Sequence, residues 1–152
     1  MFPADEREWL TRKARIDPRL EALGWKRFPS PPWGAHRTEE HPTDNGPADY
    51  VLHLDDSPVA VVEAKKLTVG PQNVLTQAQR YARGLRSTDS RFGEYGVPFL
   101  YSANGEVTWF HDVRHPLNLS RQVARTEERV VSIAGPLRHC MRTSRSALFR
   151  FN

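Results

Sequence analysis

The chain is predicted to form a single α/β domain, with at least four β-strands in a sheet and helices beside it. Two pairs of runs predict the strands. The runs at 49–54 and 58–66 are apolar, β-branched and separated by turn formers, and those at 99–102 and 107–110 enclose an Asn-Gly turn. Between the two pairs, apolar residues recur at helical spacing. At 152 residues the chain has the length of one domain, and such a domain buries roughly 68–70 % of its unfolded surface.

The N-terminal part is predicted to be helical in two pieces, 6–15 and 18–23. Asp17-Pro18 separates them, because the residue before a proline avoids the α region, whereas proline suits a first helical position. Gly24 supplies the glycine that ends the second piece. Trp25 follows directly and is expected to pack in the core against the sheet.

Residues 28–47 have the composition of a loop, with several prolines and charges. His36 and His41 lie in this stretch. Two histidines five residues apart are compatible with a metal site, but no third ligand follows at a recognisable spacing. They are therefore expected to be solvated loop side chains.

The first strand pair is predicted to be a hairpin whose register decides where Asp49 lies. If Leu54 pairs with Pro58 across a three-residue loop, Asp49 falls directly opposite Glu63. A loop of two or four residues puts Asp49 on the other face, because a slip of one residue inverts every side chain. The productive register therefore requires an odd-length loop, or a bulge with the same effect.

The end of this hairpin is predicted to carry a chemical site. Glu63 and Lys65 are two residues apart and point to one sheet face, and Asp49 returns to the same place. Two carboxylates suit a hard cation such as Mg²⁺, and a neighbouring lysine can hold the attacking water or a developing oxyanion. The group fits metal-assisted hydrolysis of a phosphodiester. The alternative is an ordinary Glu63–Lys65 ion pair, which would leave Asp49 nearby and unpaired.

Residues 70–85 are predicted to form the helix between the strand pairs. Its apolar stripe consists of Val74, Ala78, Tyr81, Ala82 and Leu85. Gln77 and Tyr81 are four residues apart and share a face. Either Tyr81 belongs to the core with Gln77 at its border, or both polar tips reach the site at the end of the hairpin, and the spacing does not choose between them.

The net charge of +4 is unevenly distributed. Residues 1–115 have a balance of −1, whereas residues 116–152 carry seven arginines and two glutamates. The basic excess therefore says little about nucleic-acid binding by the folded part. Residues 126–152 are expected to be a basic tail that is poorly ordered or atypical. The alternatives are a DNA-binding arm, or residues never selected to fold here, as after a frameshift in a longer protein.

Other features point to a soluble, cytoplasmic protein. No apolar run approaches the length of about 18 residues that a membrane span requires, and the acidic N-terminus lacks a signal-peptide core. The single cysteine, Cys140, provides neither a disulfide framework nor a thiolate metal site.

Five segments, in this order along residues 5–125, resemble the N-terminal endonuclease domain of type I restriction enzyme R subunits, within the PD-(D/E)xK nuclease superfamily. They are the helix ending in Gly24-Trp25, then Ala48-Asp49-Tyr50, Val61-Val62-Glu63-Ala64-Lys65-Lys66, Gln77-Ala78-Gln79-Arg80-Tyr81, and Ser102-Ala103-Asn104-Gly105. An acid-x-Lys triplet alone is a weak signal. Glu63-Ala64-Lys65 gains weight from its position at a strand end, from Asp49, and from Gln77 and Tyr81 on the next helix. Residues 1–125 are accordingly assigned to this nuclease domain.

The resemblance implies a restriction-endonuclease-like fold, a mixed sheet flanked by helices, and Mg²⁺-dependent hydrolysis of double-stranded DNA. It implies that Asp49 and Glu63 hold Mg²⁺, or Mn²⁺ as a substitute, with the backbone carbonyl of Ala64 as a further ligand. Lys65 would position or activate the water.

The resemblance also gives roles to the helix and to parts outside this chain. Gln77 and Tyr81 match the family's QxxxY motif, which orients the site and contacts the DNA backbone. The implied partners are double-stranded DNA and the methyltransferase and specificity subunits of a type I restriction complex, with no membrane. ATP would be needed only by a motor, and the chain has no GxxxxGK[ST] phosphate loop.

The chain departs from the family pattern in two further places. Ala48 stands where the superfamily has a proline before the first acid, and Leu10 and Lys13 align where related nucleases carry a helix glutamate. Glu6, Glu8 and Glu21 are the alternatives for this acid, so a third carboxylate is not identified from the sequence. The alternative function is that of a non-catalytic remnant or docking module of a restriction complex that keeps the nuclease fold.

Overall fold

A computed structural model describes residues 9–29, 34–65, 75–86, 91–104 and 107–123, and within them six strands form one sheet. The strands are β1 (His36–Thr43), β2 (Gly46–Leu54), β3 (Ser57–Ala64), β4 (Phe99–Ala103), β5 (Thr108–Asp112) and β6 (Arg121–Val123). They lie in sequence order across the sheet, and only the β3–β4 pair is parallel. The predicted mixed sheet with flanking helices is confirmed.

The sheet is covered on both faces. Helix α1 (Asp17–Ala22) lies over one face, where Leu20 and Trp25 join a cluster with Tyr50 and Val62. Helix α2 (Leu75–Gly84) lies over the other face, where it packs on a cluster that includes Val51 and Val61. Trp25 is 4 % exposed, so its predicted place in the core is confirmed.

The predicted break at Asp17-Pro18 is wrong, because the backbone stays helical from residue 9 to residue 22. A π-helical turn, Arg12–Ile16, leads directly into α1, and the Asp17 N–H donates to the Arg12 carbonyl five residues earlier. The wider turn shifts the hydrogen-bond pattern at the place where the missing N–H of Pro18 would otherwise interrupt it.

The predicted end of this helical segment at Gly24 is confirmed. Gly24 has a φ of +89°, and the Trp25 N–H donates to the Leu20 carbonyl at 2.8 Å while the Gly24 N–H donates to Glu21 at 3.0 Å. These two bonds form a Schellman motif, which glycine accommodates without steric cost.

The predicted loop at 28–47 is wrong in its second half, which contains β1. This strand pairs with β2 from His36↔His53 to Thr43↔Gly46. Its proline, Pro42, and its charges, which indicated a loop, are those of an edge strand. Arg37 is buried because its guanidinium meets the Glu21 carboxylate and the Trp25 carbonyl beneath the helical layer.

The remaining predictions fall partly outside the described residues. The β4–β5 pairing confirms the predicted second hairpin, and α2 confirms the helix from residue 75 onward. β6 was not predicted. The helix start at 70–74 and the tail at 126–152 lie outside the residues that the structure describes. Within the described segments, no helix is long and apolar enough to cross a membrane.

Candidate active site

A β-bulge sets the register that brings Asp49 to Glu63. The predicted three-residue loop is wrong: the turn has two residues, Asp55 and Asp56, and Leu54 pairs with Ser57. Beyond it the register shifts, because His53 pairs with Pro58 but Leu52 pairs with Ala60. The bulge has the effect that was required of it, as pairing resumes to Tyr50↔Val62 and its continuation sets Asp49 opposite Glu63.

At this end of the hairpin, hydrogen bonds between side chains and backbone N–H groups replace those of the backbone ladder. The Asp49 N–H donates to Glu63 Oε1 at 3.2 Å, and the Ala64 N–H donates to Asp49 Oδ2 at 2.8 Å. The next amide, that of Lys65, donates to the Ala103 carbonyl of β4 at 2.8 Å. Because the N–H and C=O of one strand residue point to the same side, the Ala64 carbonyl lies on the Asp49 side. The hydrogen bonds bring the Asp49 and Glu63 side chains together, and strand geometry directs the Ala64 carbonyl to the same side, which gives three possible oxygen ligands.

Electrostatics make this pair unfavourable without a cation. Glu63 is only 2 % exposed, and its pKa is raised to about 8, first by burial and then by the negative charge of Asp49. The charge of Lys65 and the Asp49 N–H oppose that rise in pKa less strongly. At neutral pH the pair therefore holds a proton, which a bound divalent cation would replace. A simple Glu63–Lys65 ion pair would lower the pKa of Glu63, so it does not account for the raised value.

The donor set fits a hard cation. All three donors are oxygens, and Mg²⁺ is typically bound by one or two carboxylates while it keeps several waters. Among the residues that the structure describes, no group of three or more His, Cys, Asp or Glu side chains is arranged to hold a metal. A third carboxylate ligand is therefore not found in that part of the chain.

Arg12, which sequence reasoning missed, lies at the site. Its Nη1 is 3.4 Å from Asp49 Oδ1 and also meets the Glu40 carboxylate, while its Nη2 is 3.4 Å from the Asp49 carbonyl. The guanidinium carbon stands 4.9 Å from the centre of the Tyr50 ring. These acceptors raise the pKa of Arg12 further above its usual range, although burial opposes the rise. Its position depends on where the helical segment crosses β2, for which the sequence carries no signal.

Glu40 reaches Arg12 through an unusual backbone conformation. It lies in β1 between two regular pairs, Glu39↔Tyr50 and His41↔Ala48, and so stands at the level of Asp49. Its φ of +49° is in the left-handed region, which is uncommon for a non-glycine residue.

Gln77 and Tyr81 lie on the face of the sheet to which Glu63 belongs. Val61 is in the cluster beneath α2 and Val62 in the opposite one, so the alternation directs Glu63 to the α2 side. Tyr81 packs against the α2 cluster, and Gln77 Nε2 donates to its hydroxyl at 3.3 Å. Tyr81 therefore packs against the core, and the hydrogen bond holds the amide of Gln77 beside the Tyr81 hydroxyl.

The histidines of the predicted loop are packed side chains of β1 rather than solvated ones. His36 stacks on His53 with ring centroids 4.9 Å apart, and Thr38 Oγ1 lies 2.8 Å from His41 Nδ1 and 3.1 Å from His53 Nε2. We call His36, Thr38, His41 and His53 the histidine cluster. Burial and the neighbouring histidines lower the pKa of His53 to about 4.

The chain is similar to known restriction enzymes. Residues 35–128 match the family model described as the second domain of the type I restriction enzyme EcoKI endonuclease subunit. A structure of a fragment assigned to the HsdR subunit of a type I restriction enzyme from Vibrio vulnificus YJ016 is 27 % identical, with a TM-score of 0.58 over 76 % of this chain.

The chain spans 22 % of the length of that HsdR fragment. The type IIG restriction endonuclease BpuSI is 17 % identical, with a TM-score of 0.44, over 67 % of this chain and 11 % of its own. No curated protein sequence matches the chain.

Proposed function

Because the chain belongs to the family of type I restriction enzyme endonuclease subunits, we propose that it is the Mg²⁺-dependent nuclease domain of such a subunit and cleaves double-stranded DNA. The observation that carries the proposal is that the buried Glu63 carboxylate meets Asp49, whose side chain is 16 % exposed, at the end of a strand that continues into Lys65. Acids held together in this way are costly unless a ligand balances their charge, and such groups concentrate at functional sites.

In the proposed reaction Asp49, Glu63 and the Ala64 carbonyl hold the metal. The cation supplies a more acidic bound water and stabilises charge on a phosphoryl oxygen. Lys65 holds the attacking water or the developing oxyanion beside them. Gln77 and Tyr81, joined by their hydrogen bond, orient the α2 side of the site towards the DNA backbone.

Calorimetric titration of the 152-residue chain with Mg²⁺ and with Mn²⁺ tests the metal site directly. We expect binding by the wild type and none by the variant that combines Asp49→Ala with Glu63→Ala. A thermal melt of each protein establishes that it is folded. Equal binding by both proteins would contradict the assignment of these ligands.

Plasmid cleavage tests the chemistry. Lys65→Ala is expected to abolish cleavage while leaving the melting temperature and Mg²⁺ binding close to wild type. Lys26→Ala is the matched control, since Lys26 is an exposed lysine directly after Trp25. Undiminished cleavage by Lys65→Ala would remove lysine from the mechanism.

A docking or remnant role is the alternative, in which the domain binds other parts of a type I complex without cutting. The specific observation in its favour is that Arg12, rather than an acid, extends from the first helical segment to Asp49. A folded wild type that binds neither Mg²⁺ nor Mn²⁺, with or without duplex DNA, would favour it. In either role the proposed partners are the methyltransferase and specificity subunits, with an ATP-driven motor outside this chain.

A further inference from the structure

We infer that Arg12 is a phosphate-positioning residue of the proposed site, and that it makes divalent-cation binding tighter when a DNA phosphate is present. The inference deepens the proposed function and rests on it. It starts from the position of a full positive charge beside Asp49, one of the two carboxylates assigned to the metal.

The contacts of Arg12 are unequal. Its bonds to Asp49 Oδ1, to the Asp49 carbonyl and to the Tyr50 hydroxyl are each 3.4 Å, at the long limit for hydrogen bonds. Only the contact with the Glu40 carboxylate is close. The guanidinium is thus anchored by Glu40 and held loosely by the site, so a phosphate oxygen can replace the long contacts.

The anchor itself is strained. Glu40 takes its left-handed φ in the middle of a strand, at the level of Asp49, and this conformation brings its carboxylate to Arg12. Such conformations are costly and persist where the surrounding structure imposes them, often at ligand sites. The anchor therefore holds the guanidinium beside Asp49.

The positive charge of Arg12 repels a metal cation and attracts a DNA phosphate. Without DNA it repels a divalent cation that approaches Asp49, because like charges a few ångströms apart raise each other's energy. With DNA, its planar fork of donors pairs with a phosphate oxygen, as arginine does in phosphate recognition. The phosphate then neutralises the guanidinium, and the repulsion of the metal falls.

Cation and DNA should therefore bind cooperatively, and the cooperativity should pass through Arg12. Linkage requires that DNA tighten cation binding by the same factor by which the cation tightens DNA binding. A residue that merely supports the fold would lower both affinities and would not create this coupling.

The experiment measures the Kd of Ca²⁺ by calorimetry, with and without a saturating 12-base-pair duplex. Ca²⁺ replaces Mg²⁺ because it also takes oxygen ligands and the duplex must survive the titration, which a gel verifies. For the wild type we expect tighter Ca²⁺ binding with the duplex than without it.

Arg12→Gln should reverse the pattern. Without DNA it should bind Ca²⁺ about three- to tenfold more tightly than the wild type, because the repelling charge is gone. With DNA the extra tightening should disappear. Arg12→Lys, which keeps the charge but loses the fork, should retain the wild-type Kd without DNA and lose most of the coupling.

Two variants separate this role from a general charge effect. Arg19→Gln removes the same charge from an exposed position on α1 and should change neither Kd nor coupling. Glu40→Gln should weaken Ca²⁺ binding without DNA, opposite in sign to Arg12→Gln, while the coupling remains. It also keeps the test open if Arg12→Gln fails to fold in a thermal melt.

The outcomes separate the inference from the proposed function. If the wild type binds Ca²⁺ but Arg12→Gln binds it no more tightly without DNA, or keeps the full coupling, the inference about Arg12 is overturned alone. If the wild type binds no cation with or without the duplex, the metal site itself is overturned, and the inference with it.

Discussion

The β2–β3 hairpin buries a titratable group at each end of its pairing, and burial shifts the pKa values of the two groups in opposite directions. At the turn end His53 is 8 % exposed, and its ring nitrogen lies 3.1 Å from Thr38 Oγ1. At the other end Glu63 is 2 % exposed and faces Asp49, a second acid. The pKa of His53 is lowered to about 4 and that of Glu63 is raised to about 8.

This contrast indicates which end of the hairpin needs a bound ligand. A neutral imidazole with a hydroxyl partner is satisfied at neutral pH, so the histidine cluster needs nothing further. At the carboxylate end, burial and the charge of Asp49 raise the pKa of Glu63, and the contacts within the protein do not offset that rise. Imbalance of this kind, rather than burial of polar groups as such, distinguishes the candidate site from a structural cluster.

The largest expected effect is on activity at the carboxylate end. Glu63→Gln should reduce plasmid cleavage by about a thousandfold or more, because the amide is a neutral and weak metal ligand. The same variant should raise the metal-free free energy of unfolding at pH 8 by roughly 2–4 kcal/mol, since it removes the buried charge. Cleavage assays and urea unfolding check the two effects. A Glu63→Gln variant that is less stable and still active would break the comparison.

Next in size is the pH dependence of the metal-free protein. Because the pKa of Glu63 is higher folded than unfolded, its contribution is present below its unfolded pKa, near 4.5, and is lost as pH rises through about 8. The free energy of unfolding should fall by about 2–3 kcal/mol over this range and be restored by Mg²⁺. Urea unfolding in a pH series, with and without Mg²⁺, measures it. If the free energy of unfolding of Glu63→Gln still falls with rising pH, a group other than Glu63 causes the fall.

A smaller effect of opposite sign is expected from His53. Its folded pKa of about 4 lies below the unfolded value near 6.5, so the folded state binds fewer protons between those values. Stability should drop by about 1–2 kcal/mol as pH falls from 6.5 to 4. His53→Gln should flatten this acid limb in the same unfolding series while Mg²⁺ affinity stays at the wild-type value. A change in Mg²⁺ affinity would mean that the two ends of the β2–β3 hairpin are coupled.

The smallest expected effect concerns Thr38. Thr38→Val removes the hydroxyl near His41 and His53 but keeps the shape, and should cost about 1 kcal/mol of stability. Plasmid cleavage should be unchanged, because the Thr38 hydroxyl contacts the histidine cluster and the Val51 carbonyl rather than the proposed metal ligands. Thermal unfolding and the cleavage assay together check this. A loss of cleavage in proportion to the loss of stability would contradict this prediction, and would mean that activity depends on the stability of the whole domain.

Sequence reasoning succeeded where the pattern is local. The β-branched runs of β2, β3, β4 and β5, the amphipathic α2 and the glycine cap at Gly24 each depend on neighbours a few residues away. The prediction failed for β1, whose proline and charges resemble a loop, because the burial of Arg37 against Glu21 and Trp25 depends on the helical layer. It failed at Asp17-Pro18 because a π-helical turn accommodates the proline.

At the site, local sequence was enough to predict that Asp49 returns to Glu63, because hairpin pairing and strand alternation follow from neighbouring residues. The way the two residues meet depends on the folded chain. A bulge rather than a longer loop set the register, and the packing of the first helical segment brought Arg12 to Asp49. Alternation along a strand is a property of the local chain, whereas the position of one element over another depends on side chains far apart in sequence.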